Sequence, residues 1–206
     1  DRNNGTWFWY KGPEENILKD TWQTNTDCLP VFPSTDRRIH GLFYVENREV
    51  HNLSLDAAFP VLHGKNGEDG TVQGVLELAG IPVIGCDVLS SAIGMDKEMA
   101  HRIVASAGIK VPQSVLIRKG NKEEKIKKAA RELHYPIFVK PDRAGSSFGI
   151  TKVEREEQLL SAVGQAFEHD SSVLLEETIP GFEVGCAVLG CENLTVGEID
   201  EIELSD

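Results

Sequence analysis

Between residues 113 and 177 the chain alternates short apolar runs with stretches of helical period, and this alternation leaves few folds open. Strands are predicted over 113–117, 136–140, 150–153 and 173–176. Helices are predicted over 122–133, with Ile126, Ala129, Ala130 and Leu133 on one face, and over 155–167, with Leu159, Leu160, Val163 and Phe167. Two further extended runs follow from residue 183, and consecutive strands at the end give this half an α+β reading. The earlier half alternates differently. Residues 56–64 read as a buried strand running into a loop, 71–79 as a helix ended by Gly80, 82–85 as a short strand, and 96–107 as a helix closed by Gly108. That order is α/β. Residues 39–54 hold two alternating runs about Glu46 and Asn47, the pattern of a hairpin. Residues 1–40 carry three tryptophans and scattered prolines and read as irregular around one or two short elements. A domain boundary is expected near 93–110, giving parts 1–95 and 96–206.

Charge narrows the choice of ligand. With 33 acidic against 21 basic residues the formal charge is -12, which repels duplex nucleic acid and anionic membranes as a whole. No nucleic-acid or membrane partner is expected, and an anionic ligand must meet a local cluster of cations. No apolar run approaches the roughly 18 residues of a membrane span, and a cytoplasmic location is expected. The four cysteines, Cys28, Cys86, Cys186 and Cys191, lack paired spacing and read mostly as reduced core thiols in apolar runs. The chain opens on Asp1 and closes within an extended run, so it is expected to be an internal fragment.

Three segments have the make-up of sites. Residues 63–70, HGKNGEDG, lie between a strand and a helix, where helix N-H groups meet anions, where His63 can donate to a carboxylate or phosphate and where Glu68 can orient it. A tight turn with capping residues and a solvated histidine fits the same letters. Residues 138–150, FVKPDRAGSSFGI, put Lys140 at the end of an apolar strand before a glycine- and serine-rich loop, which suits a polyphosphate. A plain hairpin with a surface lysine is the alternative, disfavoured by the two cations Lys140 and Arg143 in so acidic a chain. Residues 174–183, LLEETIPGFE, end a strand in carboxylates and turn at Pro180 and Gly181, which suits an adenine amino group and a ribose as well as it suits solvated acids. Lys97 opens a helix, where a cation opposes the macrodipole; on local grounds it reads as solvated.

In this order and at these intervals, HGKNGEDG, MDK, FVKPDRAGSSFG and EETIPGFEVG resemble the D-alanine:D-alanine ligase family of ATP-grasp enzymes, and most of all the D-alanine:D-serine branch of the vancomycin-resistance ligases. The resemblance runs from about residue 56 onward. It implies an α/β, Rossmann-like pre-ATP-grasp part with its first strand missing, followed by an α+β ATP-grasp domain cut short at the C-terminus. It implies an ADP-forming ligase in which ATP phosphorylates the carboxylate of D-alanine and the amine of a second D-amino acid, D-alanine or D-serine, attacks the acylphosphate to give a dipeptide for peptidoglycan. Ser146 and His63 are implied as the catalytic pair, near the first D-alanine and the substrate carboxylate. Lys97 and Lys140 are implied on the ATP phosphates, Ser147 and Phe148 in the loop over them, Glu176 and the backbone of Thr178 and Ile179 beside adenine, and Glu183 on the ribose. No metal ligand is implied within the chain: the residues for Mg2+ or Mn2+, and a mobile tyrosine loop, are expected beyond Asp206. The 206 residues alone are therefore expected to be inactive. A homodimer is also implied. A carboxylate-amine ligase of another specificity, or a nucleotide-binding module without catalysis, would keep the lysines and the Glu183 region.

Overall fold

The computed structural model describes residues 4–24, 26–145 and 148–202. Strands β1 (Trp7–Tyr10), β2 (Cys28–Pro33), β3 (Gly41–Glu46) and β4 (Glu49–Ser54) form an antiparallel sheet in that order, with helix α1 (Glu14–Leu18) and a 3-10 turn (Trp22–Thr24) between the first two. The irregular reading of residues 1–40 is corrected here: Trp7 pairs with Val31 and Tyr10 with Cys28. Pro30 and Pro33 within β2 disguise the strand, because proline is rare inside a ladder. The aromatic residues brace this region by edge contacts, Phe8 on Trp22 at 5.7 Å and Trp9 on Tyr44 at 5.3 Å. The β3–β4 hairpin turns at Asn47 and Arg48, both left-handed with φ of 53° and 66°, one position beyond the expected centre.

The buried strand expected over 56–64 shrinks to one parallel bridge, Ala58 to Val83, and Phe59 and Val61 stand in solvent. Helix α2 (Thr71–Leu78) crosses between the two bridge strands, and Leu76, Ala79 and Ile81 form a small core with Val72 and Val83. Helix α3 (Val88–Met95), unforeseen in the sequence, starts where Ser90 N donates to the Asp87 carboxylate at 2.7 Å. Its C-cap, Asp96, is at once the N-cap of α4 (Lys97–Ser106), accepting from Met99 N at 2.8 Å. One aspartate thus joins two helices.

The second half contains β5 (Ser114–Arg118), α5 (Glu123–Leu133), β6 (Ile137–Pro141), β7 (Thr151–Val153), α6 (Glu156–Ala166) and β8 (Ser172–Glu177). Its strands run β5-β8-β6-β7, each antiparallel to its neighbour. Side chains alternate across the sheet. Ile117, Ile137, Val139, Val173 and Leu175 meet Ile126, Ala130, Leu159 and Val163 of α5 and α6 in the main core. Phe138, Lys140, Leu174 and Glu176 therefore occupy the opposite face, with Phe138 in register with Glu176. A separate antiparallel pair, β9 (Glu183–Leu189) and β10 (Thr195–Ile202), lies in solvent at all positions but Gly185. No helix among the described residues is long and apolar enough to cross a membrane. Cys86, Cys186 and Cys191 are exposed and Cys28 half-buried, which corrects the expectation of core thiols: their apolar neighbours belong to the exposed hairpin and a cleft wall.

Candidate active site

Residues 63–70 close on themselves. Gly64 N donates to Glu68 Oε2, Asn66 N to Asp69 Oδ2 at 2.8 Å and Thr71 N to Asp69 Oδ1 at 3.0 Å. Burial would raise the Asp69 pKa, but these donors outweigh it and hold the carboxyl below its ordinary value. Both acids are thus spent on loop shape, and Glu68 orients the Gly64 backbone rather than His63, which is exposed. Gln73, buried in the first turn of α2, donates to Gly67 O at 3.1 Å.

A second loop meets this one. The Lys97 ammonium donates to the carbonyls of Asp142 at 3.2 Å and Ala144 at 2.8 Å, and Glu98 N donates to Asp142 Oδ1 at 3.1 Å. The cation at the α4 N-terminus, unfavourable by local rules, is held by carbonyls of the loop after β6. Burial lowers the Lys97 pKa, and the nearby Lys140 charge adds to this against the pull of Asp142 and Glu176. Burial raises the pKa of Asp142, which is 3% exposed. Gly145 packs so closely on the first loop that an added Cβ would stand 2.7 Å from Gly64 Cα. The two loops and α3 enclose a cleft of about 590 Å3 lined by Leu62, Glu68, Gln73, Ser90, Lys97 and Gly145.

The start of the second loop is clamped from below. Arg143 donates to Asp170 through its backbone N at 2.8 Å, Nε at 3.1 Å and Nη2 at 2.7 Å. Burial of Asp170 works to raise its pKa, yet the arginine's hydrogen bonds and charge leave it below the usual value. A carboxylate held low stabilises the fold fully above its unfolded pKa of about 4 and loses that contribution as pH falls through the folded value. Asp170→Asn is expected to lower the urea midpoint at pH 7, with the difference from the parent closing as the pH falls below the ordinary carboxylate range. A pH-independent difference would refute this clamp as a charge effect.

On the sheet face beside the cleft, the Lys140 ammonium makes a close ion pair with Glu176 Oε1, and His101 Nε2 lies 3.7 Å from Glu176 Oε2. Lys97 and Lys140 are thus brought to one region from positions 43 residues apart in the sequence. Thr178 is half-buried, with its Oγ1 buried and without a partner among the described residues. Ile179, Phe148 and Glu183 are exposed, the last at the start of β9. Ser146 and Ser147 lie outside the described residues. Sequence reasoning missed His101, Gln73 and the role of Asp142. A signal existed for His101, which is four residues after Lys97 and so on the same face of α4.

The chain belongs to the D-Ala-D-Ala ligase family: the family model described as D-ala D-ala ligase C-terminus matches residues 103–206, and that of the D-ala D-ala ligase N-terminus matches residues 2–86. Among its relatives, the vancomycin B-type resistance protein VanB of Enterococcus faecalis is 49% identical over 203 residues, covering 98% of this chain and 56% of the relative. A D-alanine--D-alanine ligase of Caldicellulosiruptor bescii is 42% identical, over 96% of this chain and 55% of its own length. Among solved structures, the VanG D-Ala:D-Ser ligase from Enterococcus faecalis superposes with a TM-score of 0.88 at 53% identity, covering 97% of this chain and 57% of that one. The D-alanine-D-alanine ligase from Coxiella burnetii does so at 0.84 and 28% identity, over 96% and 58%. The chain spans little more than half the length of the relatives it matches. These likenesses support the coarse fold reading, that of a D-Ala-D-Ala ligase in part.

Proposed function

We propose that the chain is part of a cytoplasmic, ATP-dependent ligase that joins D-alanine to a second D-amino acid and so supplies a peptidoglycan dipeptide, with vancomycin resistance as the consequence where that second residue is D-serine. The observation that carries the reading is the gathering of two ammonium groups, Lys97 and Lys140, beside a cleft whose walls are the HGKNGEDG loop and the glycine loop after β6. This donor set fits a triphosphate in an otherwise acidic chain. D-serine is favoured as second substrate by the 53% identity to the VanG D-Ala:D-Ser ligase.

ATP supplies a phosphoryl group that converts the D-alanine carboxylate into an acylphosphate with release of ADP. The chain's own residues act by placement and charge. Lys97 and Lys140 offset the negative charge of the phosphates, and Gly145 lets the second loop lie against the first to form one wall of the cleft. His63, Ser146, Ser147, Phe148, Thr178, Ile179 and Glu183 keep the roles implied by the family motifs. The incoming amine then displaces phosphate from the acyl carbon. The Mg2+ or Mn2+ implied by the family motifs would offset phosphate charge when bound, and its ligands are proposed to lie in the part of the relatives' length that this chain does not cover. A homodimer and a division near residue 95 belong to the same proposal.

Phosphate release by the full-length gene product with ATP and D-alanine tests it, with D-serine and D-lactate as added second substrates. Release that requires D-alanine, with D-alanyl-D-serine the main product when D-serine is present, is expected. Nucleotide binding without phosphate release would leave a binding module; release with other acids but not D-alanine would leave a different ligase.

A further inference from the structure

The buried Glu176 carboxylate faces two basic groups, and only one of them is accounted for by the nucleotide reading. Oε1 pairs with Lys140, while Oε2 faces His101 Nε2 at 3.7 Å, and the Glu176 side chain is only 7% exposed. The other ring nitrogen, His101 Nδ1, is buried with no hydrogen-bond partner among the described residues. An imidazolium would bury an unsatisfied N-H at Nδ1, whereas a neutral ring protonated on Nε2 buries only a lone pair there and turns its N-H toward the carboxylate, at a separation longer than a formed hydrogen bond that a small turn of either side chain closes. Helix α4 brings both functions to the sheet from one face: Lys97 reaches the carbonyls after β6, and His101, one turn later, reaches β8.

We infer that His101 is a positioning residue that holds Oε2 of Glu176, so that Oε1 keeps the Lys140 ammonium aimed across the nucleotide face of the sheet. This rests on the ligase reading for its consequence but not for its geometry. When an anionic ligand draws on Lys140, the carboxylate keeps one partner and does not rotate after the lysine. A buried carboxylate with a single donor has no such anchor.

The test separates geometry from function. In the full-length gene product, a 15N spectrum of the imidazole nitrogens at pH 7 is expected to show His101 as the Nε2-protonated tautomer; the Nδ1-protonated tautomer or an imidazolium would overturn the inference whatever the enzyme does. His101→Leu is expected to raise the dissociation constant for ATP about tenfold while KM for D-alanine stays within about twofold, and His101→Gln, which restores a neutral donor, to recover most of the loss. In a Glu176→Gln background the His101→Leu change should have no further effect on ATP affinity. Equal losses for both substrates, no rescue by glutamine, or an undiminished effect in that background would each refute the role. Failure of ATP to bind the parent protein would instead count against the ligase reading. If His101→Leu does not fold, the tautomer and the glutamine variant still decide.

Discussion

Lys140→Met is expected to lower the stability of the folded chain by about 2–3 kcal/mol and to abolish measurable ATP binding. The ammonium sits against a carboxylate that is nearly dry, the two side chains being 21% and 7% exposed. Removing one member of such a buried pair usually costs about 3–5 kcal/mol; the fifth of Lys140 still in water, and the His101 ring left beside Glu176, place the expectation below that range. The pair also lies in the strand core of the sheet, since Lys140 is in register with Leu174 and Phe138 with Glu176. The second variant needed is Lys140→Met combined with Glu176→Leu. Two apolar side chains of similar volume remove the stranded charge, so urea unfolding should return to within about 1 kcal/mol of the parent. ATP binding should not return. Recovery of both properties would mean that Lys140 is a structural cation only, and loss of neither in the single variant would remove the pair from the argument altogether.

Gly145→Ala should leave the fold standing and, for the proposed ligase reaction of the full-length gene product, cost on the order of 10²-fold in kcat/KM, the penalty of about 1 Å of misplacement in a positioned site. The new Cβ would stand 2.7 Å from Gly64 Cα, with Glu68 Oε2 at 3.4 Å. Gly64 cannot yield cheaply, because Glu68 accepts from its N-H and donates its own N-H to the Gly64 carbonyl at 2.9 Å. The loops must part, and the cleft between them opens. Stability should fall by about 1–3 kcal/mol, as overpacking does. Gly164→Ala on α6 is the control, since nothing lies within 4 Å of its added Cβ. It should stabilise the helix by about 1 kcal/mol without touching activity. Parallel kinetics for the two variants would show that the contact between the loops has no functional weight.

Much of the second half is legible in the sequence. Ile126, Ala129, Ala130 and Leu133 were placed on one face by their spacing, and all four are buried; Leu159 and Val163 follow suit on α6. Such patterns are local, and a helix or strand advertises its apolar side within a dozen residues. The first half is less legible for the same reason. Pro30 and Pro33 hide β2, the serines and Gly94 of α3 mask its period, and the run after Asp56 is apolar without being buried. Apolar composition marks what can be covered. It does not say what covers it.

By itself the sequence determined the alternation of elements, the turns at its glycines, and the residue types from which a phosphate site can be made. The tertiary structure alone decided that Lys97 is gripped by carbonyls more than 40 positions away, that Gly145 rests on Gly64, and that Glu176 stands between Lys140 and His101. The physical reason is one of range. Backbone propensity and side-chain period act between near neighbours, whereas the partner of a buried charge is chosen by how finished helices and strands stack, and that stacking is driven by burial of faces far from the charge itself.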